Sequence, residues 1–217
     1  MQDMQELKAF NDQRAELYWW LSSLFNQELS AKELAQYHSP QIRGFLSGLG
    51  ENDQLKPAVR NIISALNRLL ERQDAQFELA ADFCRLFQGV QPQAPIPCAS
   101  HYSNTSTPGH STAASEMAQL MKAAGIANSS PTQPADHIAV ELDFLGHMII
   151  RSNELEKPVH MEQAFAEQAI FIENSLINWV PRFAQRCREH DTFGFYAAVT
   201  DLLVALLKLD LAYLTNE

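Results

Sequence analysis

The chain has 217 residues, 46% hydrophobic and 19% charged, the balance of a folded protein long enough to bury a core. Its 16 Lys and Arg against 26 Asp and Glu give a formal charge of -10, which repels a phosphate backbone and speaks against nucleic-acid binding. No stretch reaches the roughly 20 apolar residues that cross a bilayer, and the N-terminus lacks the basic region and apolar core of a secretory leader, so a cytoplasmic protein without membrane insertion is expected.

Helical periodicity runs along nearly the whole chain. Leu7, Phe10, Arg14, Leu17, Leu21 and Leu24 mark a first helix of about 20 residues. Ser30 with Glu33 forms a capping-box start for a short second helix, and Ser39-Pro40 opens a third. A fourth runs from Leu55 to Gln73, with Val59, Ile62, Ile63, Leu66, Leu69 and Leu70 on one side. The fifth, Ala75 to Phe87, carries Phe77, Phe83 and Phe87, read as core or as an apolar groove for a partner helix.

Residues 89–111 hold four of the ten prolines and read as a long structureless loop, a feature that is usually functional. Helix resumes over 112–124 and stops at Gly125, a natural C-terminal cap. After the connector NSSPTQPA come helices near 136–153, 159–178 and 182–212, the last broken around His190 to Thr192. The expected fold is all-α, with roughly nine to ten helices in two halves, 1–127 and 136–217, joined by a hinge at 128–135. The hinge prolines favour an extended linker, through which halves can exchange between subunits.

Cys84, Cys98 and Cys187 are three in number and show no paired spacing, which argues against a disulfide framework or a zinc site and for a reducing compartment. Phosphate loops, CxxC pairs and GxSxG elbows are missing. The segment PTQPADHIAVELDFL is the unusual one, placing Asp136 and His137 at the mouth of a helix and Glu141 within its oily face. Asp136 suits an N-cap, and His137 and Glu141, four apart, can reach each other as a structural clasp. A metal site lacks a third ligand, and acid–base catalysis lacks a visible pocket.

FCRLFQG, the PCASHY loop, PADHIAVELDFL, the segment around Trp179 and the closing FGFYAAVTDLLVALLKLD together resemble the TorD family of molybdoenzyme-specific chaperones, over nearly the whole chain. The resemblance implies a chaperone with no reaction and no cofactor of its own. Its partners would be an apo-molybdoenzyme precursor, such as trimethylamine N-oxide reductase (TorA), that precursor's twin-arginine signal peptide, and cofactor-biosynthesis proteins. The peptide-binding positions implied are Pro134, Asp136, His137 and Glu141, with Phe83, Phe87 and Pro97 lining a groove. Two departures stand out: Ala99 replaces the acid of a Pro-Tyr-Glu-Ser-x-Tyr loop motif, and Ser175 replaces a histidine before the later tryptophan.

On this expectation Asp136 sits on an acidic rim beside an aromatic trough, in a monomer or a domain-swapped homodimer. The alternatives are a weak GTP hydrolase using Asp136 and Glu141 around magnesium, an adaptor acting through exchanged halves, and a chaperone for a related enzyme such as dimethyl sulfoxide reductase.

Overall fold

The computed structural model describes residues 2–89, 93–102, 113–130, 132–155 and 157–216. Among these residues the chain forms ten α-helices and no strand, as expected. They are α1 (Gln2–Asn26), α2 (Ala31–Gln36), α3 (Pro40–Leu49), α4 (Lys56–Leu70), α5 (Ala75–Phe87), α6 (Ala113–Ala124), α7 (Ile138–Ser152), α8 (Pro158–Phe171), α9 (Val180–His190) and α10 (Phe195–Thr215), with a 3-10 turn at Ala99–His101 and a π-helical stretch at Ile172–Ile177. They divide into two compact units that interleave along the chain: unit one within 1–26, 97–179 and 210–217, unit two within 27–96 and 180–209.

Unit one is built on α1 against α7. Buried positions on α1 recur three or four apart at Asn11, Arg14, Ala15, Tyr18, Leu21, Ser22 and Phe25, the spacing of one helical face. The two backbones come close because α7 offers Gly146 there: a Cβ at that position would run into the Trp19 indole. Trp19 Nε1 donates to the Asp143 carbonyl at 3.3 Å, and Ser22 Oγ donates to that of Ala139 at 2.7 Å.

A buried polar knot ties in α8 and the end of α10. Arg14 grips Asp210 with Nε at 2.6 Å and Nη2 at 2.9 Å, while Tyr18 Oη donates to the same carboxylate at 2.8 Å. The remaining guanidinium donors reach Asn11 Oδ1 and Gln168 Oε1, each at 3.0 Å. Both charges are 5% exposed. Burial of this kind is tolerable only because nearly every donor is met.

Unit two centres on an aromatic cluster. Phe83 and Phe87 lie 5.1 Å apart, and Tyr196 stands 5.7 Å from the first and 5.1 Å from the second. Phe183 and Phe195 extend it. Asp191 organises the start of α10: its buried carboxylate accepts from the N–H groups of Phe193 (3.1 Å), Gly194 (2.8 Å) and Ala197 (2.9 Å). Gly194 takes φ +93, a backbone region that suits glycine. Cys84 is exposed, whereas Cys98 and Cys187 are buried.

The Ser30–Glu33 capping box, the Ser39 cap with Pro40 behind it, and α5 stand where the sequence places them. Gly125 ends α6 at φ +63, with Ile126 N reaching the Met121 carbonyl at 3.0 Å. Two expectations need correction. Phe77 joins no aromatic cluster among the described residues and is 73% exposed, because it faces away from Leu79, Phe83 and Leu86. Part of the loop expected to be structureless is ordered, with Pro97–Tyr102 tied to Asp136–Ile138, whereas 90–92 and 103–112 lie outside the described residues. Within the connector 128–135, Gln133 N bonds to the Ser130 carbonyl at 2.9 Å.

Asp210→Ala strands the buried Arg14 charge and is expected to cost about 3–5 kcal/mol. Urea denaturation of the variant beside the parent measures it, and a loss under 1 kcal/mol, a surface-pair value, would contradict the buried knot.

Candidate functional site: a buried acid cluster at the mouth of helix α7

The site lies in unit one, where the described part of the proline loop meets the start of α7. Ile138 N donates to the Pro97 carbonyl at 2.8 Å and Ala99 N to that of Asp136 at 3.0 Å, so Cys98 and His137 face each other in an isolated antiparallel bridge. This pairing turns Asp136 inward. Its carboxylate accepts the Ser100 N–H at 2.9 Å, and the residue is 1% exposed.

His137, not Asp136, caps α7. Its backbone is extended (φ -74, ψ 137) and its Nδ1 accepts from Ala139 N at 3.1 Å. Burial pushes the imidazole down to about 4, against the opposing pull of Asp136, so the ring is neutral at physiological pH and its lone pair is free to cap.

Glu141 sits one turn further on, 2% exposed, and its Oε2 accepts from Trp179 Nε1 at 3.1 Å. Burial raises this carboxyl well above its usual range, the nearby Asp136 charge raises it further, and the Trp179 donor opposes both. Trp179 in turn stacks on Tyr102, ring centroids 5.3 Å apart at 28°. Thus Tyr102, Trp179, Glu141 and Asp136 link loop, π-helical stretch and helix mouth. The π-helical stretch ends two residues before Trp179, and such stretches frequently accompany a functional position. Cys98, enclosed here, has its thiol pushed up to about 12 by burial and then by Asp136 and Glu141, and is no nucleophile.

The expected site residues therefore separate. Pro97, Asp136, His137 and Glu141 come together, all buried, while Pro134 beside them is exposed. Asp136 stands on no exposed rim, and the expected His137–Glu141 clasp is replaced by Glu141 with Trp179. Phe83 and Phe87 belong to unit two and are 2% and 6% exposed, core residues that line no open trough there. Asp136 accepts a backbone N–H, and burial pushes Glu141 toward its protonated form. Among the described residues no group of three or more His, Cys, Asp or Glu is placed to hold a metal. Tyr102, Trp179 and Ser100 were not singled out as site residues from sequence. A buried indole needs an acceptor, and a lone acid in an apolar helix needs a donor, which is the signal that would have paired Trp179 with Glu141.

In unit one the described residues form a helical scaffold whose loop, π-helical stretch and helix mouth are tied by a buried polar cluster. A family model described as nitrate reductase delta subunit matches residues 52–185. Proteins called chaperone protein TorD are similar over nearly the whole length: that of Vibrio parahaemolyticus is 56% identical over 99% of this chain and 100% of its own. The Vibrio atlanticus protein is 52% identical with the same coverage, and the Aliivibrio fischeri protein is 46% identical, also covering 99% of this chain and 100% of its own. The chain belongs to the TorD family of chaperones, so it is not an enzyme. No described helix is long and apolar enough to cross a membrane.

Glu141 yields a pH signature. A carboxyl raised by folding releases its proton more readily when unfolded, so its contribution to stability is intact below the ordinary value of 4.5 and is lost as pH climbs toward the folded value. Glu141→Gln removes that loss while keeping an acceptor for Trp179. The variant's melting temperature should gain on the parent's between pH 5 and pH 8; a constant difference across that range would refute the assignment.

Proposed function

We propose that the chain is a cytoplasmic chaperone that holds the precursor of a molybdoenzyme of the trimethylamine N-oxide reductase type, engaging its twin-arginine signal peptide and its body until the cofactor is inserted. The observation that carries this reading is the end-to-end likeness to TorD chaperones, at 56% identity for one of them. Charge agrees with it: a chain at -10 attracts a peptide that opens with two guanidinium groups.

In unit one we assign the peptide contact to the surface above the buried cluster, where Pro134, Ser100 and His101 are exposed. Asp136 acts beneath it by fixing the Ser100 backbone, His137 by capping α7, Glu141 by holding Trp179, and Pro97 by holding the loop to Ile138. In unit two, Phe83 and Phe87 act indirectly, by fixing the orientation of α5.

Calorimetric titration with a synthetic twin-arginine peptide tests the assignment. Pro134→Arg puts a like charge at the surface and should weaken binding about tenfold, of the order of one lost charge-assisted contact, with little change in melting temperature. Asp136→Ala should lose both affinity and stability. Full affinity in Pro134→Arg, beside a stability loss in Asp136→Ala, would make this region architecture alone.

The hinge at 128–135 is proposed as the point at which 1–127 and 136–217 exchange between subunits. α1 and α7 lie on opposite sides of it in the sequence, so an exchanged dimer re-forms their packing between chains. Deleting three residues from 128–135 strains the turn and should raise the dimer fraction in sedimentation velocity; an unchanged monomer would refute the exchange.

A further inference from the structure

Helix α8 is apolar on more sides than unit one uses. It buries Met161, Ala169 and Phe171, the last with its ring 5.1 Å from that of Phe144 on α7. The opposite side carries Val159 and Ile170, 70% and 57% exposed, with exposed Ala166 between them. At 100° per residue these three fall within about 40° of one another and, at 1.5 Å rise per residue, make a stripe about 16 Å long. A helix face turned to water ordinarily carries polar residues along that line.

Carboxylates edge the stripe. Glu162 runs along one flank and Glu167 along the other, with Glu173 beyond Ile170, all exposed. Gln163, the polar residue in the stripe's path, donates from Nε2 to Glu167 Oε1 at 3.0 Å, which draws its amide to the flank. Whatever covers this face must bring apolar side chains down the middle and positive charge on both sides. A second copy of the chain does not fit, because a two-fold contact would set these glutamates against themselves in a molecule already at -10.

We propose that the Val159–Ala166–Ile170 stripe docks an amphipathic helix with Lys or Arg along its edges, presented by the folded body of the client, as a contact distinct from that with the signal peptide. This rests on the chaperone reading above and adds to it where the body is held. The apolar stripe supplies the burial, and the glutamates set orientation and encounter rate, so the contact weakens with salt.

The test uses two probes, apo trimethylamine N-oxide reductase without its signal peptide and the synthetic twin-arginine peptide alone. Val159→Glu/Ile170→Glu should bind the body at least tenfold more weakly while the peptide affinity stays within twofold. Val159→Ser/Ile170→Ser, which adds no charge, should weaken it in the same direction, and Glu162→Lys/Glu167→Lys should weaken it most at low salt. Circular dichroism confirms that each variant keeps its fold. Parent-like affinity for the body in these variants overturns the proposal, as does a parent protein that binds the peptide but never the body. A change confined to self-association in sedimentation velocity assigns the stripe to a contact between copies and also overturns it. If the parent binds neither probe, the chaperone reading itself falls.

Discussion

The absence of a side chain at Gly146 sets much of unit one. It lets α7 meet the Trp19 indole on α1, and around that approach Trp19 and Ser22 bond to carbonyls of α7. Packing α1 on α7 this closely buries most of α7, so the acid near its N-terminal end must find a partner inside the protein. Glu141 finds the Trp179 indole, and Trp179 then fixes Tyr102 by stacking. The site is thus a consequence of helix packing, and the Pro97–Tyr102 loop takes its place from it.

The electrostatics follow the same logic. His137 can cap only while neutral, and burial keeps it so. Burial and the neighbouring Asp136 favour the protonated form of Glu141, against the pull of its tryptophan donor. Such a cluster stiffens a surface rather than transferring protons, which suits a protein that works by holding another chain. Elsewhere in unit one the Arg14–Asp210 knot does the reverse, keeping a full ion pair inside by meeting its donors and acceptors with Tyr18, Asn11 and Gln168.

Local features were legible in the sequence. The Ser30–Glu33 box, the Ser39-Pro40 start, the bounds of α5 and the break near His190 all rest on short-range rules, and all hold. Phe77 was legible too, since a helical wheel turns it away from Leu79 and Phe83; grouping it by residue type obscured this. The pairings that make the site were not legible. Trp179 is 38 residues from Glu141, and Asp210 is 196 from Arg14, and only the tertiary path brings them together. The switch of cap from Asp136 to His137 turns on a one-residue offset imposed by the bridge to Cys98, which no helix-start rule contains.

The three thiols divide unequally. Cys98 and Cys187 are enclosed and held toward their protonated forms, whereas Cys84 lies open on the outer side of α5. Any covalent dimer formed in air therefore runs through Cys84, and any maleimide dye attaches there. A Cys84→Ser chain would keep oxidation from passing for assembly, and the native chain accepts a single fluorophore without further engineering.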